Sequence, residues 1–216
     1  MPHALVIGAT GGIGSAIARA LATTHELTLV GRDTAALGKV RASLAAARAL
    51  GADVSVELEV AALADGLPEV DVLVYAVGAA LPGPLAEADA AAWETQWGAN
   101  AWGFALTLKH LAPRLAKGAR VVVLGARPEL AAGRGMAAYA ASKAAVDGIA
   151  RVAALELRRQ RATVTVVRPS AVDTALWAPL GGAPKGALSP ADVATAVAEA
   201  LRADAEPELI VGAAPG

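Results

Sequence analysis

Seven short apolar runs alternate with longer stretches of helical spacing, and this alternation constrains the fold more than any other feature of the chain. The runs fall at residues 4–7, 27–30, 54–58, 72–77, 120–124, 163–167 and 209–211. Several are near-continuous Val, Leu and Ile, as expected of strands in a parallel sheet covered on both faces. Helical patterns fill the gaps at 13–22, 34–50, 88–112, 136–161 and 191–203. Asp33 and Ser189 stand where helix N-caps belong, and Pro190 takes the first helical position after the latter. The pattern predicts an α/β fold with a doubly wound parallel sheet, a Rossmann fold in three αβα layers. The 216 residues show no internal repeat and no long linker, which predicts one domain over 1–216.

The first run leads into a turn with Gly8, Gly12 and Gly14, and the turn opens a helix. Such a turn presents backbone N–H groups to a pyrophosphate. No Lys-Ser/Thr pair follows, which argues against a nucleoside-triphosphate loop. The second run ends Leu29-Val30-Gly31-Arg32, where an acidic residue would accept the ribose 2′-hydroxyl of NAD. A guanidinium there suits a 2′-phosphate, so NADP(H) is the expected preference, with NAD(H) possible. Asp33 could supply the NAD-type carboxylate, but helical periodicity begins at once and it reads as an N-cap.

Tyr139 and Lys143 lie four residues apart within Tyr-Ala-Ala-Ser-Lys, so on a helix they share one face. An unperturbed phenol, with a pKa of about 10, is a poor acid or base at neutral pH. A fixed cation beside it favours the phenolate and brings it toward useful range. A dinucleotide site combined with such a phenol points to hydride transfer at a carbonyl or alcohol.

The remaining composition narrows the field. A net charge of -1 without a basic block makes nucleic acid and anionic membranes poor partners. Zero cysteines exclude disulfides and thiolate chemistry, and three scattered histidines (His3, His25, His110) lack metal-ligand spacing. No apolar run reaches the roughly 18–20 residues that span a bilayer, and no charged leader precedes the first strand, so a cytoplasmic location is expected. Residues 175–188 carry a Gly/Pro-punctuated run with Leu176, Trp177 and Leu180 after a strand's carboxyl end, where open α/β sheets bind ligands. A short lid over a substrate is expected there. Lys185 and Arg127 are the candidate charged anchors.

With these residues placed, the chain resembles the short-chain dehydrogenase/reductase family over essentially its whole length. The glycine turn is similar to the family's Thr-Gly-xxx-Gly-x-Gly pattern, with Ile7 in place of the Thr. Trp93 and Asn100 match a Trp and an Asn on one family helix, Tyr139 and Lys143 match Tyr-xxx-Lys, and residues 168–174 resemble the nicotinamide-contacting Pro-Gly-x-x-x-Thr segment with Ser170 for Gly. The resemblance implies a catalytic set of Tyr139, Lys143 and Asn100, the last ordering a proton-relay water. It implies cofactor contacts from Gly8, Thr10, Gly12, Ile13, Gly14 and Arg32 at one end. Glu59, following the third strand, would cap the adenine with Val60 beside it. Ala76, Gly78, Pro169, Val172 and Thr174 would lie toward the nicotinamide, with Tyr139 and Lys143.

Three departures accompany the resemblance. The fourth strand ends Tyr75-Ala76-Val77-Gly78 instead of Asn-Asn-Ala-Gly, and Glu59 replaces an Asp. Ala126 occupies the slot of the catalytic Ser, thirteen residues before Tyr139. Losing one such donor costs on the order of 10²–10³ in rate. Arg127 or a bridging water could substitute. The implied function is an NADP(H)-dependent reductase of a small carbonyl compound, with a catalytically weak sensor or scaffold as the alternative. The family also implies a homodimer or homotetramer joined through the Asn100 and Tyr139 helices, with Trp97, Trp102 and Phe104 as interface or core bulk.

Overall fold

All five residues of the first strand, β1 (His3–Ile7), are buried, which requires a sheet covered on both faces. The structure is a computed structural model and describes residues 1–202, 204 and 206–213. After β1 come α1 (Gly12–Leu21), β2 (Glu26–Gly31), α2 (Thr34–Ala42), β3 (Ala47–Gly51), α3 (Glu57–Asp65) and β4 (Val70–Tyr75). The second half contains α4 (Ala90–Trp97), a π-helical turn (Gly98–Trp102), α5 (Gly103–Leu111), β5 (Leu115–Leu124), α6 (Pro128–Ala131), α7 (Ala137–Glu156), β6 (Thr163–Pro169), α8 (Pro190–Ala200) and β7 (Glu208–Val211). Ala203, the predicted end of the last helix, lies outside the described residues.

The seven strands form one sheet in the order β3-β2-β1-β4-β5-β6-β7, and every pairing is parallel. Side chains alternate across the pleat into two cores. Leu5, Ile7, Leu73, Tyr75 and Val121 pack with Leu63, Phe104, Val146 and Ala150 of α3, α5 and α7. Ala4, Val6, Val74 and Val122 pack with Ile17, Leu37, Val193 and Val197 of α1, α2 and α8. The three-layer α/β expectation is met. Asp33 caps α2 by accepting from the Ala36 N–H, as its position suggested. Ser189 and Asp192 close a capping box on α8, worth about 1 kcal/mol.

The third strand is not where the apolar pattern put it. Residues 54–58 form a turn and the start of α3, while β3 comes from the Ala-rich 47–51 that helical propensity assigned to a longer α2. Alanine favours helix intrinsically, but pairing against β2 (Leu27 with Ala47 through Gly31 with Gly51) overrides a preference worth tenths of a kcal/mol per residue. The predicted helix 88–112 carries the π turn, and the Val72–Val77 run leaves the sheet after Tyr75. Among the described residues, no helix is long and apolar enough to cross a membrane, and no three His, Cys, Asp or Glu residues cluster as metal ligands.

Candidate active site

The order of strands reverses between β1 and β4, and a cleft opens there beyond their carboxyl ends, as open α/β sheets dictate. Two cavities adjoin there, with Gly11, Ala76, Val77 and Gly78 bordering both. The smaller, about 270 Å³, is walled by Gly8, Thr10, Gly31, Arg32, Asp53 and Val54. The larger, about 660 Å³, holds Gly12, Ile13, Tyr139, Lys143, Val172 and Thr174.

The β1–α1 turn fits a dinucleotide. Gly8 has φ +85°, and a Cβ there would stand 2.7 Å from the Ala76 carbonyl carbon. A Cβ on Gly14 would collide with the Gly8 carbonyl, so α1 can start flush against the turn only with glycine. No side chain caps α1, whose N-cap is Gly11, leaving its first N–H groups directed at the cleft. Arg32 is 69% exposed at its side chain and lies 3.6 Å from Asp53. Burial pulls the Asp53 carboxyl upward, but hydrogen bonds from Ser55 and the Arg32 charge hold it below its ordinary value.

Moving β3 to 47–51 moves the adenine corner with it. Asp53 and Val54 follow the strand and line the cleft. Glu59 instead accepts the Asp53 backbone N–H at 2.7 Å, and Val60 is wholly buried in the core. Neither lines either cavity; the residues that do stand in Gly51-Ala52-Asp53-Val54, a signal hidden behind an alanine run.

Tyr139 and Lys143 stand on successive turns of α7, with Nζ 5.8 Å from the ring centroid. Lys143 is buried and donates to the Leu124 carbonyl at 2.8 Å. Its burial lowers the pKa from 10.5 to about 8, partly opposed by the charge of Asp147. Burial likewise pushes Tyr139 up to about 12. The expected lowering of the phenol by its lysine is thus reversed: desolvation outweighs a cation that is turned toward a carbonyl. The Tyr139 hydroxyl has no hydrogen-bond partner among the described residues.

Asn100 sits in the π turn, fully buried. Its Nδ2 donates to the Ala79 carbonyl at 2.9 Å and to Ser142 Oγ at 2.8 Å, and its Oδ1 accepts the Ala79 N–H at 2.8 Å. Ser142 in turn donates to the Tyr139 carbonyl at 2.8 Å, so Asn100 ties the cleft's loop to the turn that carries the phenol. Buried Gln96 holds Leu81 by both its N–H and its carbonyl. Tyr75 replaces the first Asn of the family pattern with a different device. Its hydroxyl donates 2.6 Å to the Ala99 carbonyl in the π turn, and a Cβ on Gly103 would come within 2.5 Å of that oxygen.

Ala126, expected in the slot of the family's catalytic Ser, lines the larger cavity and brings no hydroxyl to it. The Arg127 side chain is bonded elsewhere. Its Nε donates to Glu129 of α6 at 2.8 Å and its Nη1 to the Ala213 carbonyl, just beyond β7, at 2.6 Å, which fix the buried guanidinium in place. Sequence reading missed Arg168, which precedes Pro169. Its Nη1 donates to the Ala126 carbonyl at 2.7 Å, its Nη2 lies 3.0 Å from Asp147, and its Nε donates to Glu208.

The excursion after β6 is pinned at its feet by a bridge between Val172 and Leu188. Between them lies a 3₁₀ turn (Ala175–Leu180), and Leu176, Trp177 and Leu180 face the larger cavity. Of the three bulky residues near Asn100, Phe104 is core, while Trp97 and Trp102 are about half exposed.

The sequence profile described as short chain dehydrogenase matches residues 2–184. A protein of Thermus thermophilus described as a short-chain oxidoreductase is 44% identical, with a TM-score of 0.87 over 92% of this chain and 95% of its own. A cis-4-hydroxycyclohexanecarboxylate dehydrogenase of Sinomonas cyclohexanicum is 34% identical over 82% of this chain and 76% of its own. Two Burkholderia structures are each 25% identical. That of B. phymatum holds NAD (TM-score 0.86; 97% and 88% covered), and that of B. cenocepacia holds NADP (TM-score 0.84; 97% and 96% covered).

Proposed function

The chain belongs to the short-chain dehydrogenase family, and from that premise we propose that it is an oxidoreductase interconverting a small carbonyl compound and its alcohol, with NADP(H) as preferred cofactor. One observation carries the reading: the Tyr139 hydroxyl, without a hydrogen-bond partner among the described residues, lines an apolar cavity that adjoins the glycine-walled cleft. Relatives that act on alcohols, and neighbours holding NAD or NADP, support it.

The nicotinamide, when bound, supplies or accepts hydride. Gly8, Thr10, Gly12 and Ile13 receive the pyrophosphate at the start of α1, with Gly14 shaping the turn. Arg32, exposed and loosely paired, takes the 2′-phosphate, and Asp53 and Val54 border the adenine. Ala76, Gly78, Pro169, Val172 and Thr174 flank the nicotinamide, and Lys143 binds its ribose. Tyr139 keeps its proton at neutral pH and delivers it to the substrate oxygen. Asn100 positions this turn through Ser142, and the second lone pair on its Oδ1 is what it has left to order a relay water. Residues 175–188 act as the substrate lid.

Titration with NADPH and NADH tests the cofactor assignment. NADPH should bind at least about tenfold tighter, about 1.4 kcal/mol, and Arg32→Ala should remove most of the gap. Equal affinities, or a gap the substitution leaves intact, refute the role of Arg32. Ala126 favours a second reading, an NADP(H)-binding sensor or scaffold, which stands if NADPH binds but no carbonyl is reduced. For either reading we place the protein in the cytoplasm as a homodimer or homotetramer. Half-exposed Trp97 and Trp102, with exposed Val152 and Leu155 on α7, offer the apolar surface for that assembly.

A further inference from the structure

The larger cavity restricts the substrate beyond its being a small carbonyl compound. Leu81, Leu130, Met136, Leu176 and Leu180 form its apolar wall. The charged side chains that reach it, and the Trp177 indole, are engaged elsewhere. Lys143 is bound to the Leu124 carbonyl, and the Trp177 indole donates to the Val172 carbonyl at 2.9 Å. Arg127 is neutralised by Glu129 and fixed by the Ala213 carbonyl. Ser170 Oγ is turned to Gly212, 2.5 Å from where a Cβ there would stand, and Thr174 packs its methyl against Gly12 at the cofactor end. Among the described residues, the Tyr139 hydroxyl is the donor that α7 presents to the substrate space, and Ala126 presents none.

An oxygen that gathers negative charge beside Tyr139 finds no side-chain donor at position 126, which is alanine. The shortfall must be met within the substrate. The cavity's two cations are committed, Arg127 to Glu129 and Lys143 to the Leu124 carbonyl and, in the reading above, the cofactor ribose, so an ionised group here would be buried without a dedicated partner, which is strongly unfavourable. Resting on the oxidoreductase reading above, we propose that the site takes an uncharged, ring-bearing vicinal diketone, a carbonyl activated by a second carbonyl beside it. The neighbouring C=O withdraws electron density and so stabilises the developing alkoxide without a second protein donor. In the reductive step the carbonyl carbon gains hydride from the reduced nicotinamide, which is thereby oxidised. The C=O π bond breaks, and its electron pair takes the Tyr139 proton to give an α-hydroxyketone. Water then returns a proton to the tyrosinate.

The test compares kcat/KM with NADPH for 1-phenylpropane-1,2-dione, phenylacetone and phenylpyruvate, in the wild type and in Ala126→Ser. These probes share a phenyl ring and a C2 carbonyl, but differ in activation and in charge. The dione should exceed phenylacetone by about 100-fold or more, on the scale of one lost oxyanion donor. It should exceed phenylpyruvate by at least about tenfold, the scale of a modest loss in affinity. Ala126→Ser should raise phenylacetone more than the dione and shrink their ratio about tenfold. Phenylacetone or phenylpyruvate consumed as well as the dione, or a ratio that Ala126→Ser leaves unmoved, overturns the inference while the oxidoreductase reading survives. If no probe is consumed although NADPH binding is seen by its fluorescence, that reading falls and the inference with it. The wild-type ratios stand without any variant, so a misfolded Ala126→Ser does not decide the matter.

Discussion

Lys143→Met should make the apoprotein more stable while abolishing turnover. The wild-type ammonium is buried, and its pKa falls from 10.5 to about 8. Holding it charged in the fold at neutral pH therefore costs about 3 kcal/mol relative to the unfolded chain. Methionine fills similar volume without that cost, but leaves the Leu124 carbonyl without its donor, a loss of about 1–2 kcal/mol. A net gain of about 1–2 kcal/mol at pH 7 should remain. The pH dependence separates this cause from generic packing. Between pH 8 and 10.5 the unfolded lysine keeps a proton that the native one has lost, so wild-type stability rises with pH. The rise attributable to Lys143 is about 2.5 kcal/mol between about pH 7 and 10. Tyr139, held protonated to about 12 in the fold against 10 unfolded, acts in the opposite sense only above about pH 10. Urea denaturation of both proteins at about pH 7 and about pH 10 provides the assay, and the variant's advantage should vanish or reverse at the higher pH. A variant less stable than wild type at neutral pH, or a gap equal at both pH values, would refute the argument.

Tyr139→Phe should reduce carbonyl turnover by about 10²–10⁴, as removal of a general acid does, while NADPH titration finds its affinity nearly unchanged. Arg168→Met strands the mostly buried Asp147 and frees the Ala126 carbonyl, so urea denaturation should read a loss of about 3 kcal/mol. Arg168→Lys should recover only part of it, since an ammonium cannot face Ala126, Asp147 and Glu208 in one plane. Light scattering at micromolar concentration should find a dimer or tetramer, and Trp102→Glu should shift it toward monomer; a wild-type monomer defeats the assembly.

The parts of the fold that were legible in the sequence are those where local and tertiary preferences agree. β1, residues 121–124 of β5 and residues 164–167 of β6 are near-continuous apolar and β-branched runs, and their burial on both faces follows from it. The turn at Gly8 and the pair on α7 were legible because each rests on spacing within a single element. β3 was not, because an edge strand of alanines has no pattern of its own and exists through its pairing with β2. The error then carried into the site: Glu59 and Val60 were placed in the cleft, and Asp53 was overlooked. The direction of the Tyr139 shift also escaped, since spacing reports proximity to a cation but not desolvation. Arg168 and Asp147, one on a strand and one on a helix, come together only in three dimensions.

Tyr75 and Gly103 lie 28 positions apart, yet one fills the hollow that the other leaves. Strand β4 and the helix bearing Asn100 are therefore keyed to each other and can be inherited or exchanged only as a matched set. A chimera that imports residues 90–111 from a relative with a side chain at position 103 would lever the phenol out of its slot, and the Ala99 carbonyl with it. The reverse graft, an asparagine-type strand end beneath this helix, would leave a hole under the π turn. Recombination breakpoints at positions 81–89 should accordingly yield inactive hybrids, even though that segment is exposed and crossovers there are ordinarily tolerated.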